Sequence, residues 1–216
     1  MRRWLIVALA VVAIVPGEAS PARLTAHDRA QGWRLLFDGT GFSGWHSFGA
    51  RRVAPNWAVG DGTLEAREEG RALATDELFG DFELSFSWRV VAGGRAEVFF
   101  RASEDAELPA HSAPVFQLAG PDADCGGNGG IIAPETAFVP APDVWHHARL
   151  VVAGDQVEHW VGERLLLSYR LGSAEWRAAL PASRFANFRG YGRERRGAIA
   201  LAGRGAMFRD LKVRPL

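Results

Sequence analysis

The stretch from Asp143 to Leu171, DVWHHARLVVAGDQVEHWVGERLLLSYRL, leaves this chain few folds to choose from. His147, Arg149, Val151 and Ala153 alternate with Ala148, Leu150 and Val152, the period of two that belongs to a strand. Gly154-Asp155 breaks the run as a hairpin turn does, and the next strand sets Val157, His159 and Val161 on one face with Glu158 and Trp160 on the other. Gly162-Glu163 then turns the chain into LLLSYRL. A meander with one apolar face must bury it against another layer, so a partner sheet is expected, with the meander central in its own.

Other segments supply that partner. NWAVGDGTLEARE reads as a hairpin, because Trp57 and Val59 alternate with polar neighbours and Asp61-Gly62 makes a two-residue turn before Leu64 and Ala66. In DFELSFSWRVV, Phe82, Leu84, Phe86 and Trp88 share one face, while Glu83, Ser85, Ser87 and Arg89 share the other. Gly93-Gly94 is expected to end that strand. A further strand from Ala96 to Ala102 then sets Glu97, Phe99 and Arg101 on one side and Val98 and Phe100 on the other. Ser103 to Pro142 is irregular and proline-rich apart from PVFQLAG, and such a segment on a rigid scaffold is expected to border a site. A short helix from Ala174 to Leu180, stopped by Pro181, precedes a basic loop, Arg189 to Arg196. Two closing strands carry Ile199 with Leu201 and Phe208 with Leu211 and Val213. About a dozen strands with almost no helix read as an all-β sandwich of two antiparallel sheets.

The amino terminus is set apart. Arg2 and Arg3 precede an apolar run from Trp4 to Val15 and then small residues, the pattern of a signal peptide over residues 1–19. A polar, helix-compatible linker at 20–32 and a single domain at 33–216 follow. The expected location is periplasmic or secreted, with no membrane attachment after cleavage; an uncleaved membrane anchor is the alternative. One cysteine, Cys125, allows no intrachain disulfide. With 25 basic and 25 acidic residues, nothing favours nucleic acid as a partner. The length and balance suit one core, and they leave oligomeric state open.

Nucleophile elbows, HExxH, CxxC pairs and phosphate loops are missing from the sequence. Asp122 and Asp124 begin a segment spaced like a calcium loop, but Gly126 and Ala133 occupy later ligand positions, so no metal site is assigned. Carboxylates on strand faces, Glu97 and Glu158, are candidates for acid or base work on a glycoside, as is His159, which follows Glu158 and faces the opposite way. Against this stand the commonplace roles: a glutamate on a solvated strand face and a histidine that is hydrogen-bonded packing. Trp45 and His46 lie in the glycine-rich loop GTGFSGWHSFG, where a ring either stacks on a sugar or plugs the end of a sandwich.

Taken in order, LFDGTGFSGWHSFG, NWAVGDGTLE, DFELSFSWRV, VFFR, VWHHARLVV, VEHWVGERLLLSYRLGSAEW, SRFANFRGYG and FRDLKVRPL resemble the domain family associated with 3-keto-disaccharide hydrolases. The resemblance implies a concanavalin A-like jelly-roll sandwich in an exported bacterial protein that acts on glycosides oxidised at the sugar's third carbon, often with a divalent metal. The site segments depart from the family's pattern. Arg95, Ala96, Glu97 and Val98 stand for Asn-Ser-Gly-Ile. Val115, Phe116 and Gln117, then Ala119 and Gly120, stand for Glu-Tyr-Gln and Leu-Asp, and Ala202, Gly203, Arg204 and Gly205 stand for Gln-Asp-His-Gly. Trp145-His146 replaces a Trp-Asn. The ligands for a metal are thereby lost, and no cofactor is expected. Two readings follow: a divergent glycoside hydrolase using Glu97, Glu158 or His159, or a non-catalytic sugar-binding domain. Either would hold carbohydrate through Trp45, His46, the guanidinium of Arg101 and the amide of Gln117.

Overall fold

The structure, a computed structural model, describes residues 23–120 and 125–216. The expected signal segment, Asp122 and Asp124 lie outside the described residues. Eleven antiparallel strands form the body: β1 Arg34–Leu35, β2 Trp45–Ser47, β3 Trp57–Gly60, β4 Thr63–Ala66, β5 Leu73–Phe79, β6 Phe82–Ala102, β7 Val115–Ala119, β8 His146–Ala153, β9 Gln156–Val161, β10 Arg164–Arg170 and β11 Gly197–Pro215. The fold is the expected sandwich.

Two strands are longer than the sequence suggests. β6 runs unbroken through Gly93-Gly94, and β11 joins both closing strands into one of 19 residues. Each serves both layers. The first half of β6 pairs with β8, Phe82 opposite Val152 and Trp88 opposite His146, whereas its second half pairs with β7, Glu97 opposite Gln117. β11 tracks β6 along its whole length, with register shifts near Gly205 and Asp210. Both residues have positive φ, so the chain bends there without leaving the ladder. A glycine pair inside a long strand marks a bend, not an end.

One layer has the order β10-β9-β8-β6-β11-β4-β3, and the other is built from β7, β6, β11, β5 and β2. The meander β8 to β10 therefore forms a flank, with β10 outermost, and is not central. Its alternation is as read: Val157, His159 and Val161 are buried and their neighbours partly exposed. Phe82, Leu84, Phe86 and Trp88 are wholly buried between the layers, a burial of roughly 2 kcal/mol or more for each side chain. The Asp61-Gly62 turn has φ of 48° and 71°, the left-handed pair that a tight hairpin needs.

The segment expected to be a linker contains a helix, α1 (Ala26–Ala30), closed by a capping box between Thr25 and Asp28. Asp28 also accepts from Lys212 at 2.6 Å, which holds its carboxyl well below the usual range, and Lys212 and Arg214 lie 5.1 and 5.0 Å from the Trp33 ring. The segment is thus docked on β11. The second helix, α2 (Ala174–Ala179), runs into a 3-10 turn, Leu180–Ala182, that contains Pro181. Among the described residues no helix is long and apolar enough to cross a membrane.

Candidate functional site

Glu97 sits in the second half of β6, where β7 lies on one side and β11 on the other. Gln117 and Ala202 are its direct cross-strand partners. Paired residues share a face, so all three belong to the same surface of the second layer. The Glu97 side chain is 4 % exposed, and it opens onto a cavity of about 260 Å³ lined also by Phe99, His111, Arg184 and Phe188. Ala202 lines the same cavity.

A carboxylate taken from water must be paired, and this one has two cationic neighbours. Arg184 donates to Glu97 Oε1 at 3.2 Å, and Arg95 Nη1 stands 3.8 Å from Oε2. Arg95 in turn donates to Glu69. The Arg95–Glu69 pair also borders a neighbouring cavity of about 730 Å³, walled by Val90, Val91, Phe138 and Pro140. That space is larger, but among the described residues no buried acid lines it. Glu97 makes the smaller one the candidate site.

Arg184 is held from behind by stacked rings. Its guanidinium lies 4.9 Å from Phe185, which stacks on Tyr191 at 4.2 Å, and Trp176 continues the column between Tyr191 and Tyr169. Burial raises the Tyr191 phenol well above its ordinary pKa, so the column stays neutral beside the charges. At the rim His111 and Phe188 stack at 4.1 Å, a flat surface of the kind on which a sugar ring packs.

Of the residues expected from sequence, only Glu97 and Gln117 come together. Gln117 is buried beside Gly120, outside the cavity lining. Arg101 requires correction. It occupies a bulge with φ of 54°, which turns it from the Glu97 face, and there its guanidinium donates to Gly80 O, Asp81 and Gly154 O at 3.0, 2.8 and 2.9 Å. It is a buried clamp between two turns. Gly197 faces this bulge, and a Cβ there would lie 2.4 Å from the Arg101 carbonyl carbon. Trp45 is core, with its indole N–H donating to Leu36 O at 2.9 Å, so it offers no platform for a sugar.

His46 lies in a separate, open depression. Its Nδ1 and Nε2 donate to Asp76 at 2.5 Å and Glu104 at 2.8 Å. Burial works against its charge, yet the two carboxylates outweigh it and raise its pKa above the ordinary value. Glu158 lies on the solvent side of β9, accepting from Trp160 at 2.9 Å, with Arg149 stacked 4.4 Å over the same ring. It shares no cavity with Glu97 among those the described residues line.

His159 is wholly buried between layers, stacked on Phe116 at 4.3 Å, with Nδ1 donating to Gly126 O at 2.9 Å. It pins the glycine-rich loop, which also pairs with Gln117 through Gly126 and Gly127. This is a packing role. Burial pushes its pKa from 6.5 down to about 4, so between those values the unfolded chain takes up the proton and the folded chain does not. Stability is therefore full above about pH 6.5 and falls toward pH 4, by at most about 1.4 kcal/mol per pH unit from this group. His159→Phe should flatten that slope in urea melts compared at pH 6.5 and 4.5. An unchanged slope would assign acid sensitivity elsewhere.

The donor set at Glu97 does not suit a divalent cation. The groups nearest its carboxylate are guanidiniums, Glu69 is paired with Arg95 and His111 is stacked on Phe188, and among the described residues no three His, Cys, Asp or Glu side chains are placed to hold a metal ion. Arg184, Glu69 and His111 carry no site signal of their own in the sequence, and Arg95 stands there only as a replaced family residue. Arg184 carried a signal nonetheless, since it lies in SRFANFRGYG, one of the segments on which the resemblance rests.

The family described as the 3-keto-alpha-glucoside-1,2-lyase-like domain matches residues 32–214. A 3-keto-disaccharide hydrolase of Bacteroides thetaiotaomicron is 30% identical over 187 residues, covering 72% of this chain and 64% of that protein. Thus the match spans less than two thirds of the relative's length. Among solved structures, a protein described as a glycosyl hydrolase from Parabacteroides distasonis superposes with a TM-score of 0.84 at 24% identity, over 91% of this chain and 99% of that one. A carbohydrate-binding module from Bacillus subtilis superposes at 0.51 and 15% identity, over 83% and 99%. At such identities these structures establish the shared sandwich alone.

Proposed function

Because the chain belongs to the 3-keto-alpha-glucoside-1,2-lyase-like family, we propose that its Glu97 cavity takes a glycoside whose C3 is a ketone and that Glu97 removes the proton on C2. The observation that carries this reading is a buried carboxylate fixed by Arg184 at the floor of a cavity with a stacked aromatic rim. A ketone at C3 acidifies the neighbouring C–H, because the electron pair left behind delocalises onto O3. A positioned carboxylate is then a competent base. The C1–O bond breaks as C1=C2 forms and the C3 carbonyl is restored, and the leaving oxygen takes a proton from solvent. The products are a 2-hydroxy enone and a free alcohol. Water adding across C1=C2 converts the enone to the 3-keto sugar, so elimination followed by hydration amounts to hydrolysis.

The leader-like start, Arg2 to Ala19, supports action in the periplasm or outside the cell. The neighbouring apolar cavity beyond the Arg95–Glu69 pair gives the departing group or a second ring a place to lie.

Purified protein incubated with 4-nitrophenyl 3-keto-α-glucoside should release nitrophenol, and the parent glucoside should remain intact. Tight binding by calorimetry without release would instead identify a sugar-binding domain. The replacement of the family's Gln-Asp-His-Gly by Ala202 to Gly205 favours that second reading. Equal cleavage of both compounds would remove the ketone from the account.

A further inference from the structure

Resting on that reading of the Glu97 cavity, we infer that Arg184 and Arg95 do the work of an electrophile at O3, so that the elimination runs without a divalent metal. C2 deprotonation creates an enolate, and its charge develops on O3. That charge needs a fixed cation close by. Two guanidiniums border the cavity that Glu97 floors. Among the described residues the one hydrogen bond of Arg184 goes to Glu97, which leaves other donors of its planar fork for a ligand.

Charge bookkeeping favours the same assignment. At rest Arg184 is balanced by Glu97 and Arg95 by Glu69. When Glu97 takes the C2 proton it becomes neutral, and Arg184 loses its anion in the same step that O3 gains a charge. One negative charge thus moves from Glu97 to O3 beside stationary cations, and the cavity's net charge never changes. A permanently charged guanidinium suits this role, since no proton needs to be lost from it. A divalent cation would face repulsion from both arginines.

The column of Phe185, Tyr191, Trp176 and Tyr169 gives the arrangement its rigidity. Arg184 lies over the end ring, so its guanidinium is oriented before substrate arrives. Ala202 keeps space open beside Glu97, where a longer side chain would project.

The test compares nitrophenol release from 4-nitrophenyl 3-keto-α-glucoside by wild type, by chelator-treated wild type, and by Arg184→Ala and Arg184→Lys, each checked by thermal melt. Chelation should change the rate less than twofold. Arg184→Ala should lower kcat by about a hundredfold, the scale of one lost oxyanion donor, with a smaller change in KM. Arg184→Lys should recover part of kcat, which a merely structural role would not produce. If chelation abolishes turnover and added metal restores it, or if Arg184→Ala turns over normally, the arginine assignment fails while the Glu97 reading stands. If wild type leaves the compound intact with and without metal, both fall together.

Discussion

Glu97→Gln should lower kcat for a 3-keto-glucoside by about a thousandfold while leaving the protein folded, since a positioned general base contributes on that scale. The amide keeps the shape and can still accept from Arg184, so the cavity retains its form. It cannot take a proton from carbon. The comparison to make is kcat beside the melting temperature and the affinity for substrate. Intact folding and binding with lost turnover assigns Glu97 to the chemistry, whereas unchanged turnover removes it from the reaction.

Arg101→Ala should show the opposite pattern. Arg101 is 1 % exposed and ties the Gly80-Asp81 turn to the Gly154 turn, and both part-buried carbonyl bonds would lose their charged donor. The expected cost is about 3 kcal/mol, or a fall in melting temperature of roughly 10 °C for a domain of this size. Turnover well below the melt should be near normal, because Arg101 points away from Glu97. A catalytic defect in a stable Arg101→Ala variant would contradict the placement of this residue.

Strand identity was legible because a period of two is a local signal: Val157 to Val161 alternate as required, and Phe82, Leu84, Phe86 and Trp88 are all buried, although Glu83 and Ser85 on the opposite face are buried too. Strand continuity was not. Gly93-Gly94 carries the same dipeptide whether it ends a strand or lets it bend toward a second layer, and only β11 alongside decides. The meander, the clearest pattern in the chain, lies at a flank for the same reason: alternation reports a buried face and says nothing of neighbours.

The site divides likewise. Glu97 and Gln117 could be grouped, since each sits on a strand and the family pattern brings both strands to one surface. Arg101, two positions from Phe99, should have shared their face in an ideal strand. One residue in the left-handed region reversed it, and no local feature announces a bulge at a non-glycine. Glu69 and Arg184 come from irregular segments 115 positions apart, which meet at the cavity only through the packed layers. A sequence period cannot report that meeting. Of the replaced family positions, Arg95 and Glu97 join Glu69 and Arg184 in one set of opposite charges.

On this mechanism bond cleavage begins at C2. Turnover of a 3-keto-glucoside carrying deuterium at C2 tests it most directly. Removal of that proton by Glu97 predicts slower cleavage than for the protio compound and a released keto sugar whose C2 has exchanged its label for solvent hydrogen. Cleavage at an equal rate, with deuterium still on C2 of the product, would mean direct displacement at C1 and would contradict the account.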